Sequence, residues 1–254
     1  MQGNIILIGA GEMGGVFARG FLRTGFTVVP VNRGDDVDKV AAENPTPEMV
    51  LLAMGETDLS HALGSMPQVW QDKLALLQNE LLPQDWLQHG IKPTVTSVWF
   101  EKKPGMDFKV IRSSPVYGPK ADIIARSLKS IDIAVEVLKT EDELLDELVT
   151  KNLYILTSNL AGLKVGGTVG ELWDKHHDFM RAIALEVLDI QEYLTGEEFD
   201  RERLIRNMQR AFAGDPAHQC MGRSAPARLQ RALQIADKAK LKIPHIRSLT
   251  SLID

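Results

Sequence analysis

Short aliphatic runs alternate with helical or loop segments over the first half of the chain. The runs predict seven strands, at residues 4–8, 27–31, 49–54, 74–78, 94–99, 109–113 and 134–138. A helical pattern over 120–131 joins the last two runs. Strands that alternate with helices are typical of a largely parallel sheet that is covered by helices.

The second half of the chain has a helical pattern instead. After Thr140 the strand signals end, and the acidic residues 141–143 favour a helix start. An apolar stripe continues that helix through Leu144, Leu148 and Leu156. Further helices are predicted at 169–194, 201–212, 228–240 and 245–253. The pattern predicts an α/β domain over residues 1–140 and an all-α domain over 141–254, which would serve substrate binding or dimerisation.

A glycine-rich turn links the first predicted strand to the first predicted helix. In a G-x-G-x-x-G pattern, Gly9 permits the tight turn, Gly11 lets a pyrophosphate approach the backbone, and Gly14 lets the helix pack on the strand. The helix N-terminus then offers free N–H groups to the phosphates. A glycine-rich turn without a ligand is the alternative. The context predicts a Rossmann domain whose cofactor is bound by Gly9, Ala10, Gly11, Glu12, Met13 and Gly14.

The end of the second predicted strand indicates which dinucleotide is bound. That strand ends in Asn32 and Arg33, where NAD-binding folds usually carry an acid for the ribose 2′-hydroxyl. A guanidinium can instead pair with a 2′-phosphate. The sequence therefore favours NADP(H), with Asn32 and Arg33 in the cofactor site. The alternatives are a solvated turn arginine at position 33, and ribose contacts from Asp35 or Asp36.

Composition excludes several classes of function. The 254 residues carry a formal net charge of −5, which gives no basic footprint for nucleic acid or an anionic membrane. Cys220 is the single cysteine, so an internal disulfide is excluded. No apolar stretch approaches the roughly 20 residues that span a bilayer, and the early glycine-rich strand leaves no room for a signal peptide. We therefore expect a cytoplasmic protein without a metal site, because Cys/His clusters with metal spacing are lacking.

Several segments together carry a family resemblance. Residues 9–14 match the N-terminal glycine motif of one enzyme family. Leu-Leu-Gln-Asn at 76–79 is similar to a segment of that family that ends a strand and whose asparagine lies by the nicotinamide. Lys151 and Asn159 lie eight residues apart on one predicted helix, and Leu-Lys-Ile-Pro at 241–244 is similar to a closing segment. These features resemble the ketopantoate reductase family, within the wider group of NADP-dependent β-hydroxyacid dehydrogenases that includes 6-phosphogluconate dehydrogenase.

The resemblance implies a function and a set of site residues. It implies an NADPH-dependent reductase of a small 2-oxo acid or related carbonyl, with reduction of 2-dehydropantoate to pantoate as one candidate reaction. It implies that Lys151 is catalytic, that Asn159 binds substrate and that Asn79 lies by the nicotinamide. A monomer and a homodimer both stay open.

The residue types suit that chemistry. Hydride transfer to a carbonyl needs positive charge or a proton donor at the oxygen, and a lysine ammonium supplies both. Eight helical residues place Asn159 about 12 Å beyond Lys151 and roughly 80° around the helix, so both can border one small substrate. The alternatives are an exposed helix lysine, a polar surface asparagine, and a turn residue at Asn79.

The chain also departs from the family pattern. Ile155 stands where family members carry a second asparagine, and Arg-Ser-Ala-Pro at 223–226 stands where they carry an acidic segment. These departures motivate a second hypothesis, a nucleotide-binding regulatory or interaction protein that has lost catalysis. In the polar loop at 218–223, Arg223 is a candidate partner for a substrate carboxylate, with a solvated arginine as the alternative, and Cys220 is expected to be a packed residue.

Overall fold

A computed structural model describes residues 3–78 and 80–252 of the chain. Its residues form two compact units, Met1–Leu148 and Val149–Asp254, and the division falls inside one long helix. We call them the sheet unit and the helical unit. The α/β class with a C-terminal helical region is confirmed. No helix of the described residues is both long and apolar enough to cross a membrane.

The sheet unit is organised around one seven-stranded sheet. The strands of the described residues are β1 Asn4–Ile8, β2 Thr27–Val31, β3 Met49–Leu52, β4 Leu74–Gln78, β5 Thr94–Ser97, β6 Phe100–Glu101, β7 Lys109–Val110, β8 Ser114–Tyr117 and β9 Val135–Val137. Seven of them pair in the order β2-β1-β3-β4-β5-β8-β9. Strands β1 to β5 are parallel, β8 runs antiparallel to β5, and β6 pairs with β7 as a separate hairpin. The carboxyl ends of β1 to β5 therefore share one edge, where open α/β sheets bind ligands.

The helices cover the sheet and build the second unit. They are α1 Glu12–Arg23, α2 Val37–Glu43, α3 Glu56–Gly64, α4 Gln84–Leu87, α5 Ala121–Lys129, α6 Glu141–Val165, α7 Val169–Lys175, α8 His177–Thr195, α9 Arg201–Gly214, α10 Ala225–Ala239 and α11 Pro244–Arg247. Two short 3-10 turns lie at Gln68–Lys73 and Thr250–Leu252.

Helix α1 is held closely on the sheet unit. Phe17 and Phe21 are fully buried one turn apart, as the helical period requires for a core-facing stripe. A Cβ at Gly20 would lie 2.7 Å from the carbonyl oxygen of Ser127, so glycine allows α1 and α5 to pack closely. This packing fixes the direction of α1 and hence the position of its N-terminus.

The helical unit is held by apolar packing and by buried polar contacts. The Asn152 amide on α6 donates to the Gln191 side chain on α8 at 2.9 Å. The buried Glu186 carboxylate accepts the backbone N–H groups of His245 and Ile246 at 2.9 and 2.8 Å, and so caps α11. These contacts tie α6, α8 and α11 together.

Several predicted elements differ in detail from the observed ones. The strands predicted at 49–54 and 94–99 end at Leu52 and Ser97, and the helix predicted at 245–253 is α11 followed by a 3-10 turn. Of the strand predicted at 109–113 only Lys109–Val110 is a strand, β7, and β8 begins after the predicted range at Ser114; the Ile111 N–H donates to the Trp99 carbonyl at 2.8 Å where the chain leaves the hairpin. The helix predicted at 169–194 is two helices, which meet at His176 with φ of −130° and ψ of 30°. Strands β1, β2 and β4 have the predicted bounds.

Candidate functional site

The glycine turn lies between β1 and α1, and its three glycines differ in what they serve. Gly9 has φ of +94°, and a Cβ there would lie 2.4 Å from the Ala53 carbonyl oxygen. A Cβ on Gly14 would lie 2.2 Å from the Gly9 carbonyl oxygen. Gly9 and Gly14 are therefore required by the protein's own packing.

Gly11 is different. Its φ and ψ of −74° and −165° are open to any residue, and no described atom lies within 4 Å of a Cβ built there. Neither backbone conformation nor packing demands glycine at this position. An open backbone at the first residue before α1 instead suits a ligand that must approach the main chain closely.

A cavity of about 330 Å³ lies outside the glycine turn. Its walls come from the turn, from α1 and from the loop of the β6–β7 hairpin: Ala10, Gly11, Glu12, Gly15, Val16, Arg19, Lys102, Asp107 and Phe108. Helix α1 has no side-chain cap, so its first N–H groups are available to an anion. The open Gly11 and these N–H groups fit the diphosphate of a dinucleotide.

Arg33 lies just beyond the end of β2, with a side chain that is 93% exposed. Its guanidinium lies 3.2 Å from the carboxylate of Asp58 on α3. The Asp35 carboxylate accepts the Asn32 N–H at 2.7 Å, and Asp36 caps α2 by accepting the Lys39 N–H at 3.1 Å. Both acids that could have reached a ribose are thus engaged with nearby backbone.

Asn79, which directly follows β4 in the sequence, lies outside the described residues. The strand before it, β4, is present with the predicted bounds and pairs with β3 and β5. The role of Asn79 stays a prediction.

A buried acid at the start of α6 was missed by sequence reasoning. Glu147, with a side chain only 11% exposed, accepts hydrogen bonds from the Ser97 hydroxyl at 2.8 Å and from the Trp99 indole at 2.5 Å. It also pairs with Arg112, whose guanidinium stacks 4.3 Å from the Trp99 ring centre. The cluster anchors the first turns of α6 at the carboxyl end of β5. The only sequence signal was an acid set between Leu144 and Leu148 in an apolar stripe.

We expect Glu147→Ala to lower the free energy of unfolding by about 2–4 kcal/mol. The substitution leaves partly buried donors without their acceptor and the Arg112 charge without its carboxylate partner. Urea denaturation monitored by Trp fluorescence and circular dichroism measures the change. Glu141→Ala, at an exposed position of the same helix, is the control and should cost less than about 1 kcal/mol. Equal small losses in both variants would contradict the anchoring role.

Lys151 and Asn159 lie on α6 in the helical unit, as predicted for a single helix. They are 9% and 8% exposed, so the alternative of exposed surface residues is wrong. Burial of a lysine and an asparagine carries a desolvation cost that surface residues do not have.

The Asn159 carboxamide is engaged with its own unit. Its oxygen accepts from Arg228 at 3.0 Å and from the Gly222 N–H at 3.3 Å, and its nitrogen donates to the Ile155 carbonyl at 2.9 Å. Asn159 therefore orients the Arg228 guanidinium and links α6 to α10 and to the loop at Gly222.

Arg228 was missed by sequence reasoning, which singled out Arg223 instead. Arg223 is exposed, whereas Arg228 is 8% exposed. Arg228 shares the buried face of α10 with Ala225, Leu229 and Ala232, so the helical period of α10 contained the signal. The Arg228 guanidinium donates to the Asn159 oxygen, so two buried polar groups satisfy each other here.

Cys220 is a packed residue, as expected. Burial raises the pKa of its thiol to about 11, so the thiol stays protonated and unreactive at neutral pH. A Cβ on Gly162 would lie 2.8 Å from the Cys220 Cβ, which shows how closely this loop lies against α6.

Comparisons with known proteins identify the fold. No protein-family model matches the chain, and no curated protein sequence matches it. Among solved structures, a ketopantoate reductase from Ralstonia eutropha JMP134 is 14% identical with a TM-score of 0.68, covering 98% of this chain and 97% of its own. A 2-dehydropantoate 2-reductase from Methylococcus capsulatus is 14% identical with a TM-score of 0.70, covering 98% and 95%.

A complex of D-mandelate dehydrogenase with NADH shares the fold as well, at 14% identity and a TM-score of 0.68, covering 98% of this chain and 97% of its own. The chain thus has, along nearly its whole length, the fold of ketopantoate reductases, and the resemblance seen in the sequence is confirmed at the level of the fold.

Proposed function

We propose that this protein is an oxidoreductase that uses NADPH to reduce a small 2-oxo acid or related carbonyl compound. The observation that carries the proposal is the glycine turn, where Gly11 alone of the three motif glycines has no packing reason to be glycine. The fold supports it, because proteins named for 2-dehydropantoate, a 2-oxo acid, and for mandelate, a 2-hydroxy acid, share that fold at low identity.

The cofactor would be held by the sheet unit. Residues 9–14 would bind the diphosphate through backbone N–H groups, while Asn32 and Arg33 would border the adenosine ribose. The bound nicotinamide supplies a hydride. Asn79 would lie by the nicotinamide, as the family resemblance implies.

The helical unit would supply the groups that act on the substrate. Lys151 would place its ammonium at the carbonyl oxygen, where negative charge develops, and would donate a proton there. Asn159 would bind the substrate, as the family resemblance implies, and Arg228, which donates to the Asn159 oxygen at 3.0 Å, would orient that carboxamide.

Arg33→Asp should raise KM for NADPH at least tenfold more than KM for NADH, because a carboxylate repels the 2′-phosphate and accepts from the 2′-hydroxyl. Steady-state kinetics with both cofactors measures the change. Asp58→Asn is a matched companion, since removing the carboxylate 3.2 Å from Arg33 should tighten NADPH binding without affecting NADH. Equal effects of Arg33→Asp on the two cofactors would contradict this role.

The proposed function is tested by fluorescence titration with NADPH and NADH, followed by absorbance at the reduced nicotinamide band with 2-dehydropantoate and a panel of small 2-oxo acids, aldehydes and imines. Tight NADPH binding with oxidation on a 2-oxo acid supports the reductase. Binding without turnover across the panel would favour the second hypothesis, a nucleotide-binding regulatory protein. That hypothesis is motivated by Ile155, which stands where members of the resembled family carry an asparagine. Failure to bind either cofactor would overturn both.

A further inference from the structure

The loop of the β6–β7 hairpin brings a cation to the glycine turn. Lys102, directly after β6, has a side chain only 18% exposed, and its ammonium lies 2.7 Å from the Glu12 carboxylate. It also donates to the Lys103 carbonyl at 2.9 Å. The hairpin thus places a held positive charge on the wall of the cavity outside Gly11.

The positive charge of Lys102 matters because Glu12 places a negative charge at the same cavity. It is the first residue of α1 and also lines the cavity, so its carboxylate lies at the helix end that attracts anions. A diphosphate that approached Gly11 would meet this negative charge. Like charges at close range oppose binding unless a cation compensates for them.

Lys102 can donate to the Glu12 carboxylate and to a diphosphate at the same time. An ammonium has three N–H donors, and two of those on Lys102 have the Glu12 and Lys103 oxygens as partners among the described residues. The third is then open to a phosphate oxygen. Because protein contacts already hold the side chain, little rotamer entropy remains to be lost on binding.

We propose that Lys102 binds the diphosphate of the dinucleotide and neutralises Glu12 at the glycine turn, which makes the β6–β7 hairpin part of the cofactor site. This inference rests on the proposed function. It assigns a cofactor-binding role to a residue that stands about 90 positions from the glycine motif and outside any nucleotide-binding pattern.

The test uses the full chain and ADP-ribose, which carries the diphosphate without the nicotinamide. Lys102→Met keeps the apolar stem and removes the charge, and should weaken ADP-ribose binding at least tenfold by isothermal titration calorimetry. Lys103→Met is the matched control, because Lys103 is 61% exposed and pairs with Glu101 at 3.3 Å, and it should stay within twofold of wild type.

The Glu12 contribution is tested by a double-mutant cycle. Glu12→Gln added to Lys102→Met should recover part of the lost affinity, since the repulsion is then removed while the contact from Lys102 to the diphosphate is not restored. Adenosine, which has no phosphate, should bind the wild type and Lys102→Met equally, and equal thermal unfolding midpoints would show that the variants are folded.

Wild-type affinity for ADP-ribose in Lys102→Met would overturn the inference while the proposed function stood. Equal weakening by Lys103→Met, or an equal loss for adenosine, would also overturn it. A wild-type protein that binds neither ADP-ribose nor NADPH would overturn the inference and the proposed function together.

Discussion

Replacing Lys151 with alanine should lower kcat by about 10²–10⁴-fold while the dissociation constant for NADPH stays unchanged. The ammonium would act mainly on charge that develops at the carbonyl oxygen during hydride transfer, so its loss affects the transition state more than the bound ground state. Steady-state turnover and a fluorescence titration with NADPH measure the two quantities separately.

Two further variants separate charge from proton donation and from surface effects. Lys151→Arg retains a positive charge but does not give up a proton near neutral pH, so it should recover only part of the lost kcat. Lys164→Ala is the control on the same helix, because the Lys164 ammonium lies 4.7 Å from the Phe179 ring centre and has no proposed part in catalysis. Full turnover in Lys151→Ala would show that the lysine has no catalytic role.

Substituting alanine at Gly14 and at Gly11 should give opposite phenotypes. A Cβ on Gly14 would lie 2.2 Å from the Gly9 carbonyl oxygen, so Gly14→Ala should cost on the order of 3 kcal/mol of stability. Gly11→Ala meets no described atom and should change stability by less than about 1 kcal/mol. The methyl group that alanine adds at position 11 should nevertheless weaken NADPH binding at least tenfold, because it occupies the space through which a phosphate reaches the backbone.

Urea denaturation and NADPH titration of both variants measure these effects. Gly162→Ala, which would clash with Cys220 in the helical unit, is a control that loses stability without bearing on the dinucleotide loop. An unchanged NADPH affinity in Gly11→Ala would mean that no phosphate approaches the turn, and the proposed cofactor site would be wrong.

The strand, turn and helix that form the glycine turn were predicted from local sequence. β1 and β2 have their predicted bounds, and α1 starts at Glu12 as its pattern indicated. Hydrophobic period and glycine spacing act over a few neighbouring residues, so the chain carries this information locally. The long helix that contains Lys151 and Asn159 was predicted for the same reason.

The side-chain partnerships of the candidate site could not be predicted in this way. Arg228 and Asn159 are 69 residues apart, and Glu147 reaches Trp99 across 48 residues. Such contacts depend on how distant segments pack, which no local pattern contains. The early end of the strand predicted at 109–113 has the same origin, since backbone hydrogen bonds from Ile111 and Arg112 to Trp99 decide where that segment turns.

By itself the sequence determined the fold class, the glycine turn before α1, and the helix that bears Lys151 and Asn159, because backbone preference and hydrophobic period are local properties. Only the tertiary structure decided that Lys151 and Asn159 are buried, that Arg228 donates to Asn159 while Arg223 is exposed, and that Lys102 lies against Glu12. Those outcomes follow from the burial of apolar faces, which brings polar side chains from distant segments into contact.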